Sequence, residues 1–457
     1  MNIDTAISEL SLVLGDRLSR SKSDLANHGQ SEAYFRPAAP DAVAYPRSTQ
    51  EVSEIVTICA RNKCPVIPWG TGTSIEGHSL AIKGGVTVDF SRMNKVLAIN
   101  AADMDCLVQP GVTRQDLNHE LRATGLFFPV DPGANAALGG MVGTRASGTT
   151  AVRYGTMKQN VLALEAVLAD GRIIRTGTRA RKSSAGYDLT SLLVGSEGTL
   201  ALITEITLRL FGKPEAISAA ICSFETVGDA VNTVIATTQM GIPMARIELM
   251  DAKSAIACNN YSNMNLAESP HLLIEFHGSE NSVKEDATRF GDLTANFGGA
   301  DFKWSIREQE RNRLWKMRHD AYYAILASQP GRVGFVTDIC VPISRLAEAI
   351  DETQSDIDAS PIDGPILSHA GDGNFHATLL IRKDDGDDLK VARDLAHRMA
   401  ERALRLGGTV TGEHGVGIGK LDLMAQEHGE AWQVMGEIKR ALDPDLILNP
   451  GKLVSLH

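Results

Sequence analysis

At 457 residues the chain exceeds what one hydrophobic core supports, so two or more domains are expected. With 43% hydrophobic and 22% charged residues it reads as an ordinary globular protein, and a net charge of −11 without a local Lys/Arg cluster argues against a nucleic-acid partner. No run reaches the ~18 apolar residues needed for an integral membrane segment, and residues 1–14 lack the cationic-then-apolar order of a signal peptide. The expected location is cytoplasmic, with peripheral placement at the inner membrane as the alternative. Cys59, Cys64, Cys106, Cys222, Cys258 and Cys340 form no C-x-x-C pair, so reduced thiols are expected.

Residues 1–35 read as a helical entry segment. A strand is expected at 42–45, followed by a helix to about 62 that opens on the capping box Ser48-Thr49-Gln50-Glu51. Strands follow at 65–68, 86–89 and 107–109, and Thr113 caps a helix over 114–123 that Gly125 ends. Glycine is dense across 131–200, where strands at 161–169 and 172–175 flank the turn Asp170-Gly171. Such density lets backbone approach a ligand closely, and a dinucleotide cofactor is the natural candidate.

The pattern changes near Lys213-Pro214. Strands at 219–224, 271–276, 333–341, 365–369 and 376–381 alternate with helices at 227–240, 282–297 and 343–355, as in a separate antiparallel α+β domain. A helix at 388–406 and a last helix at 431–442 complete the chain.

The most informative segment is Ser368-His369-Ala370-Gly371-Asp372-Gly373-Asn374-Phe375-His376. Asp372-Gly373 suits a two-residue type I′ turn. That turn would pair His369 directly with His376, with Cβ atoms roughly 5 Å apart on one face. The spacing suits two ligands of one metal ion, and Glu413 in Thr411-Gly412-Glu413-His414-Gly415-Val416-Gly417 is the third candidate. Two His and one Glu with open positions describe a catalytic metal more than a structural one.

Several segments together resemble the vanillyl-alcohol-oxidase-type flavoproteins, the type 4 FAD-binding oxidoreductase/transferase family. These are Pro68-Trp69-Gly70-Thr71-Gly72-Thr73-Ser74, Gly139-Gly140-Met141-Val142-Gly143, Arg153-Tyr154-Gly155-Thr156 and Val194-Gly195-Ser196-Glu197-Gly198-Thr199-Leu200. The Gly-Asp-Gly-Asn-Phe-His and Gly-Glu-His-Gly-Val-Gly motifs are similar to those of FAD- and metal-dependent D-2-hydroxyacid dehydrogenases. Residues 314–323 and 336–342 look most like cytochrome-type D-lactate dehydrogenases.

The resemblance implies a two-domain α+β flavoprotein. Residues 1–213 would form an FAD-binding domain with a PCMH-type core from about 38, 214–405 an antiparallel-sheet substrate domain, and 406–457 a segment returning to the FAD domain. FAD would contact Gly70, Thr71, Gly72, Thr73, Ser74, Pro132, Gly133, Gly139, Gly140, Gly143, Ser147, Gly148, Tyr154, Gly155, Glu197, Gly198, Ile203 and Asn449. Thr73 stands where many relatives carry a tethering His, so non-covalent FAD is implied, with His78 as a loop residue.

The implied reaction is oxidation of a D-2-hydroxy acid by hydride transfer to flavin N5, with electrons passed to cytochrome c, a quinone or another carrier. His369, His376 and Glu413 would hold one divalent metal, Zn²⁺ or Mn²⁺ first. His414 would be the base or would orient Glu413, Arg318 would clamp the substrate carboxylate, and Asn374 would bond substrate or satisfy the turn. His414 raises a geometric difficulty, because neighbours on an extended strand point to opposite faces. Val336 and Tyr322 occupy positions where relatives acting on D-2-hydroxyglutarate hold a second carboxylate, so D-lactate is favoured. Glycolate, D-2-hydroxybutyrate and D-2-hydroxyglutarate remain alternatives, as does a metal hydrolase from a different class. The assembly state stays open, a homodimer among the options.

Overall fold

The computed structural model describes residues 1–454. These residues form two compact units. The first comprises 1–147, 155–213 and the chain from 413 onward, and the second comprises 148–154 and 214–412. Two features of this division differ from the sequence expectation. Residues 148–154 belong with the second unit, and that unit runs on to Gly412 rather than ending at 405. The bridge between Cys340 and Thr409 carries the extension, with Cys340 N–H donating to Thr409 and Thr409 N–H donating back.

The first unit holds two main sheets. A four-stranded sheet runs in the order Leu18–Ser19, Ala42–Ala44, Val86–Asp89, Val66–Trp69, with the last three mutually parallel. A five-stranded antiparallel sheet has the order Val96–Asn100, Asp105–Val108, Ala201–Arg209, Val161–Leu168, Ile173–Gly177. Helices Thr49–Arg61 and Arg114–Glu120 start on side-chain caps. Ser48 accepts from the Glu51 N–H and Thr113 from the Asp116 N–H, each satisfying a donor the helix leaves open. The return bond of the expected capping box is redirected, since Glu51 accepts from the Arg47 N–H instead. Val52, Ile55, Val56 and Cys59 face inward from helix Thr49–Arg61 and join Ala42, Val86 and Val167 in one apolar cluster. This spacing is the stripe expected of an amphipathic helix on a sheet.

The second unit is built on one eight-stranded antiparallel sheet. Its main path is Ala300–Ser305, Ala216–Ser223, His271–Gly278, Met244–Met250, Ile366–His369, Asn374–Arg382, Arg332–Val336, and Ile339–Cys340 also pairs with Asn374–Arg382. The strand expected over 333–341 is therefore two pieces interrupted at Thr337-Asp338.

The hairpin at 366–382 differs from the two-residue turn. His369 pairs with Asn374, Ser368 with Phe375 and Leu367 with His376, so four residues, Ala370 to Gly373, form the connection. The cause is competition for backbone. Ala370 N–H donates to Ile247 at 3.1 Å rather than crossing the hairpin. A type I′ turn also needs positive φ at both central residues, and here Gly373 has φ +78 while Asp372 stays out of that region.

Candidate active site

Alternation along each strand and direct pairing between strands place one set of polar residues on one face of the second unit's sheet. Glu248 pairs with His369 and His369 with Asn374. His376 and Thr378 follow Asn374 at two-residue intervals, and Val336 pairs with Thr378. Arg246 precedes Glu248 by two residues and pairs with Glu275, whose own two-residue neighbour is His277. An apolar sheet thus carries a continuous polar row.

The two histidines are oriented from behind. His369 Nδ1 lies 2.7 Å from Glu248 Oε1, and His376 Nδ1 lies 2.9 Å from the Thr337 carbonyl. Both partners are acceptors, so each Nδ1 donates its proton backward and the Nε2 edge of each ring faces away from that partner. A fixed tautomer of this kind is what outer partners give metal-ligating imidazoles. The donor chemistry of the pair therefore fits a divalent cation.

Arg318, in the last turn of helix Glu308–His319, is not a solvated surface charge. Leu314, Trp315 and Met317 are buried, and the Arg318 side chain is only 11% exposed. It donates to Glu248 Oε2 at 2.6 Å, while its Nε–H has no acceptor among the described residues. Burial pushes the Glu248 carboxyl up, but the neighbouring His369 and Arg318 charges outweigh it and hold the group below the ordinary carboxylate range.

Asn374 donates to Asp338 Oδ1 and to the Ile339 carbonyl, both at 2.7 Å. The other Asp338 oxygen accepts from Thr411 Oγ1 at 2.8 Å and from the Gly412 N–H at 3.0 Å. Asn374 therefore braces a buried carboxylate rather than its own turn. Glu413 and His414 follow Gly412 in a stretch that bends through 412–414, and His414 Nε2 lies 3.6 Å from Glu413 Oε1. The bend answers the geometric difficulty of two adjacent residues, because both side chains turn to the same side.

In the first unit the loop Gly70–Ser74 leaves the carboxyl end of a parallel strand, Val66–Trp69, the usual place for ligands in such sheets. Helix Leu138–Thr144 and the turn at 194–198 pack against it. Glu197 N–H donates to Gly143 and Gly195 N–H to Val142, each at 2.9 Å. Gly198 is needed there, since its φ is +69 and an added Cβ would sit 2.3 Å from Pro68 Cγ. Gly133 and Gly140 are exposed, with nothing within 4 Å of where a side chain would begin. That open backbone fits the close approach of a flat or phosphate-bearing cofactor.

Other expected cofactor residues are used internally. Asn449 donates to the His78 and Glu197 carbonyls at 3.0 and 2.7 Å. His78 bonds Ser74 through Nδ1 and has Nε2 3.2 Å from Glu197 Oε1. Burial raises the Glu197 carboxyl, and His78 with the Val416 and Gly417 N–H groups brings it below its ordinary value. Ile203 is a core residue opposite Ala166. Gly148 and Tyr154 lie in the second unit, where the Tyr154 hydroxyl is 2.7 Å from His277 Nδ1.

Residues 213–453 match the family described as FAD linked oxidases, C-terminal domain, and residues 40–177 match FAD binding domain. The chain belongs to the FAD-linked oxidase family. Among its relatives is "Probable D-lactate dehydrogenase, mitochondrial" of Danio rerio, 47% identical over an alignment spanning 99% of this chain and 92% of that protein. "D-lactate dehydrogenase [cytochrome], mitochondrial" of Arabidopsis thaliana is 45% identical over 99% of this chain and 80% of its own length. Crystalline p-cresol methylhydroxylase with substrate bound superposes with a TM-score of 0.80 at 18% identity, covering 99% of this chain and 96% of that one. At that identity the likeness speaks for the fold. This FAD-linked oxidase thus has the two-domain α+β architecture and FAD-binding domain expected from its motifs.

Sequence reasoning missed Glu248 and Asp338. A signal for the first existed, because Arg246 and Glu248 place two charges at strand spacing inside Met244–Met250, a position that demands buried partners.

Proposed function

We propose that this FAD-linked oxidase is a divalent-metal-dependent D-lactate dehydrogenase that converts D-lactate to pyruvate and passes electrons to a cytochrome or quinone. The observation that carries the reading is the His369 and His376 pair, with both Nδ1 atoms held by acceptors on one face of the sheet. Full-length identity to proteins named D-lactate dehydrogenase supports the substrate, and the word cytochrome in one name supports the acceptor.

His369 Nε2, His376 Nε2 and Glu413 would hold the metal. Chain continuity supports the third ligand, since Glu413 follows Gly412, which is anchored on the same Asp338 that binds Asn374. When bound, FAD accepts a hydride and a Zn²⁺ or Mn²⁺ ion lowers the pKa of the substrate hydroxyl. His414 takes the hydroxyl proton. Arg318 orients the substrate carboxylate through the guanidinium edge that Glu248 leaves unused, which includes the acceptor-less Nε–H. Asn374 acts through Asp338 by fixing the approach to Glu413.

FAD is held without a covalent bond in this reading, since Thr73 offers no tether and His78 is engaged by Ser74 and Glu197. The glycine-bearing segments 70–74 and 138–143, with the 194–198 turn, would carry it. Val336 shares the face of His376 and offers no cation, which favours a monocarboxylate. A metal hydrolase would have no use for the FAD-binding domain. No helix among the described residues is long and apolar enough to cross a membrane, and any membrane contact in this reading is peripheral.

Anaerobic flavin reduction tested over D- and L-2-hydroxy acids checks the proposal. D-lactate should bleach the flavin fastest and L-lactate hardly at all. Equal reduction by both enantiomers, or none by D-lactate, would overturn it.

A further inference from the structure

We infer that Glu248 is a positioning residue that couples the metal ligand His369 to the carboxylate clamp Arg318, so that one buried side chain sets both metal affinity and substrate affinity. The inference rests on the proposed function and adds to it a residue that touches neither metal nor substrate.

Glu248 lies on strand Met244–Met250 directly opposite His369, and its side chain is 0% exposed. Its two oxygens are divided between two partners from different parts of the chain. Oε1 is 2.7 Å from His369 Nδ1, and Oε2 is 2.6 Å from the Arg318 guanidinium. A carboxylate buried this deeply needs compensation on both oxygens, and here each compensating group is one the reaction uses.

Consequences follow on both sides. Toward His369, the carboxylate fixes Nδ1–H and makes Nε2 a stronger donor to a cation. Loss of such an outer partner typically weakens metal binding by about 10–100-fold. Toward Arg318, it holds one edge of the guanidinium and thereby aims the rest of the fork. Neither neighbour can move without disturbing the carboxylate that the other also uses. An amide in place of Glu248 could accept from only one of the two donors and would present its own NH₂ to the other.

The test uses FAD-loaded full-length protein with Glu248→Gln and, as a variant that keeps the charge, Glu248→Asp. Zn²⁺ affinity is measured by competition with a chromogenic chelator, and KM and kcat for D-lactate are measured separately. Glu248→Gln should weaken Zn²⁺ binding by about 10–100-fold and raise KM by about tenfold or more, with FAD stoichiometry unchanged. Glu248→Asp should fall between the two proteins on both measures, and it decides the matter alone if the Gln variant does not fold. Zn²⁺ affinity within twofold of wild type in a folded variant would overturn the inference. So would weakened Zn²⁺ binding with an unchanged KM, because the coupling would then be absent. Wild-type protein that binds no Zn²⁺ or leaves D-lactate untouched overturns the proposed function itself and this inference with it.

Discussion

His369 and His376 meet diagonally across their hairpin, with ring centroids 5.6 Å apart and ring planes at 82°. The diagonal arises because His369 pairs with Asn374 and His376 with Leu367. Diagonal neighbours on one face are some 7–8 Å apart at the backbone, still within reach of long side chains. Near-perpendicular rings with both Nδ1 atoms tied back can converge on a common cation through Nε2.

Removal of either imidazole should therefore abolish metal uptake without releasing the flavin. His376→Ala should lose stoichiometric metal in elemental analysis and at least about 10² in kcat/KM. Its FAD absorbance should remain, because the flavin segments belong to the other unit. A variant that stays active in the presence of a chelator would show that the ligands are misassigned.

Arg318 and His414 should fail differently. Arg318→Ala removes a contact made in ground and transition states alike, so KM should rise more than kcat falls. His414→Ala removes a base needed only as the hydroxyl proton leaves, so kcat should drop about 10²–10⁴ with a modest change in KM. Stopped-flow flavin reduction separates both effects from reoxidation. Wild-type reduction rates in His414→Ala would exclude it as the base.

Substrate choice should follow the apolar Val336, which lies opposite Thr378 on the face that carries His376. A second carboxylate there would be buried without a partner, at a cost of several kcal/mol. kcat/KM for D-lactate should exceed that for D-2-hydroxyglutarate by about 10² or more. Steady-state kinetics on the two acids checks this, and the reverse order would refute it.

Stability should carry a signature of Asp251, the cap of helix Ala252–Ser262. Its Oδ1 accepts from the Ser254 N–H at 2.7 Å, while Oδ2 is buried without a partner among the described residues. Burial raises its pKa to about 6. A carboxyl with a raised folded pKa stabilises the fold below its unfolded value of about 3.9, and that contribution is lost as pH rises through about 6. The loss amounts to at most about 3 kcal/mol. Asp251→Asn keeps a capping oxygen and cannot ionise. The stability difference, Asp251→Asn minus wild type, should thus grow between about pH 4 and 6 and level off above. Urea unfolding of both proteins across that range measures it, and a pH-independent difference would show that Asp251 ionises normally.

Local chemistry made much of this protein readable from its residues alone. The strand Val86–Asp89 and the helix Val227–Gln239, which Thr226 caps, lie close to the ranges expected from the sequence. The glycine-rich half announced its cofactor because close backbone approach leaves a compositional trace. Even the misjudged hairpin kept both histidines on one face, since a displacement of two residues preserves the side a strand presents and a displacement of one would not. What the residues could not announce was who meets whom across distance. Ala370 turns away from its own hairpin because Ile247, far back in the chain, takes its N–H. Glu248 reaches His369 across 121 residues and Arg318 across 70. Those meetings depend on which strands pair and what is buried, and only the folded chain decides them, because no local preference of a glutamate selects its partners.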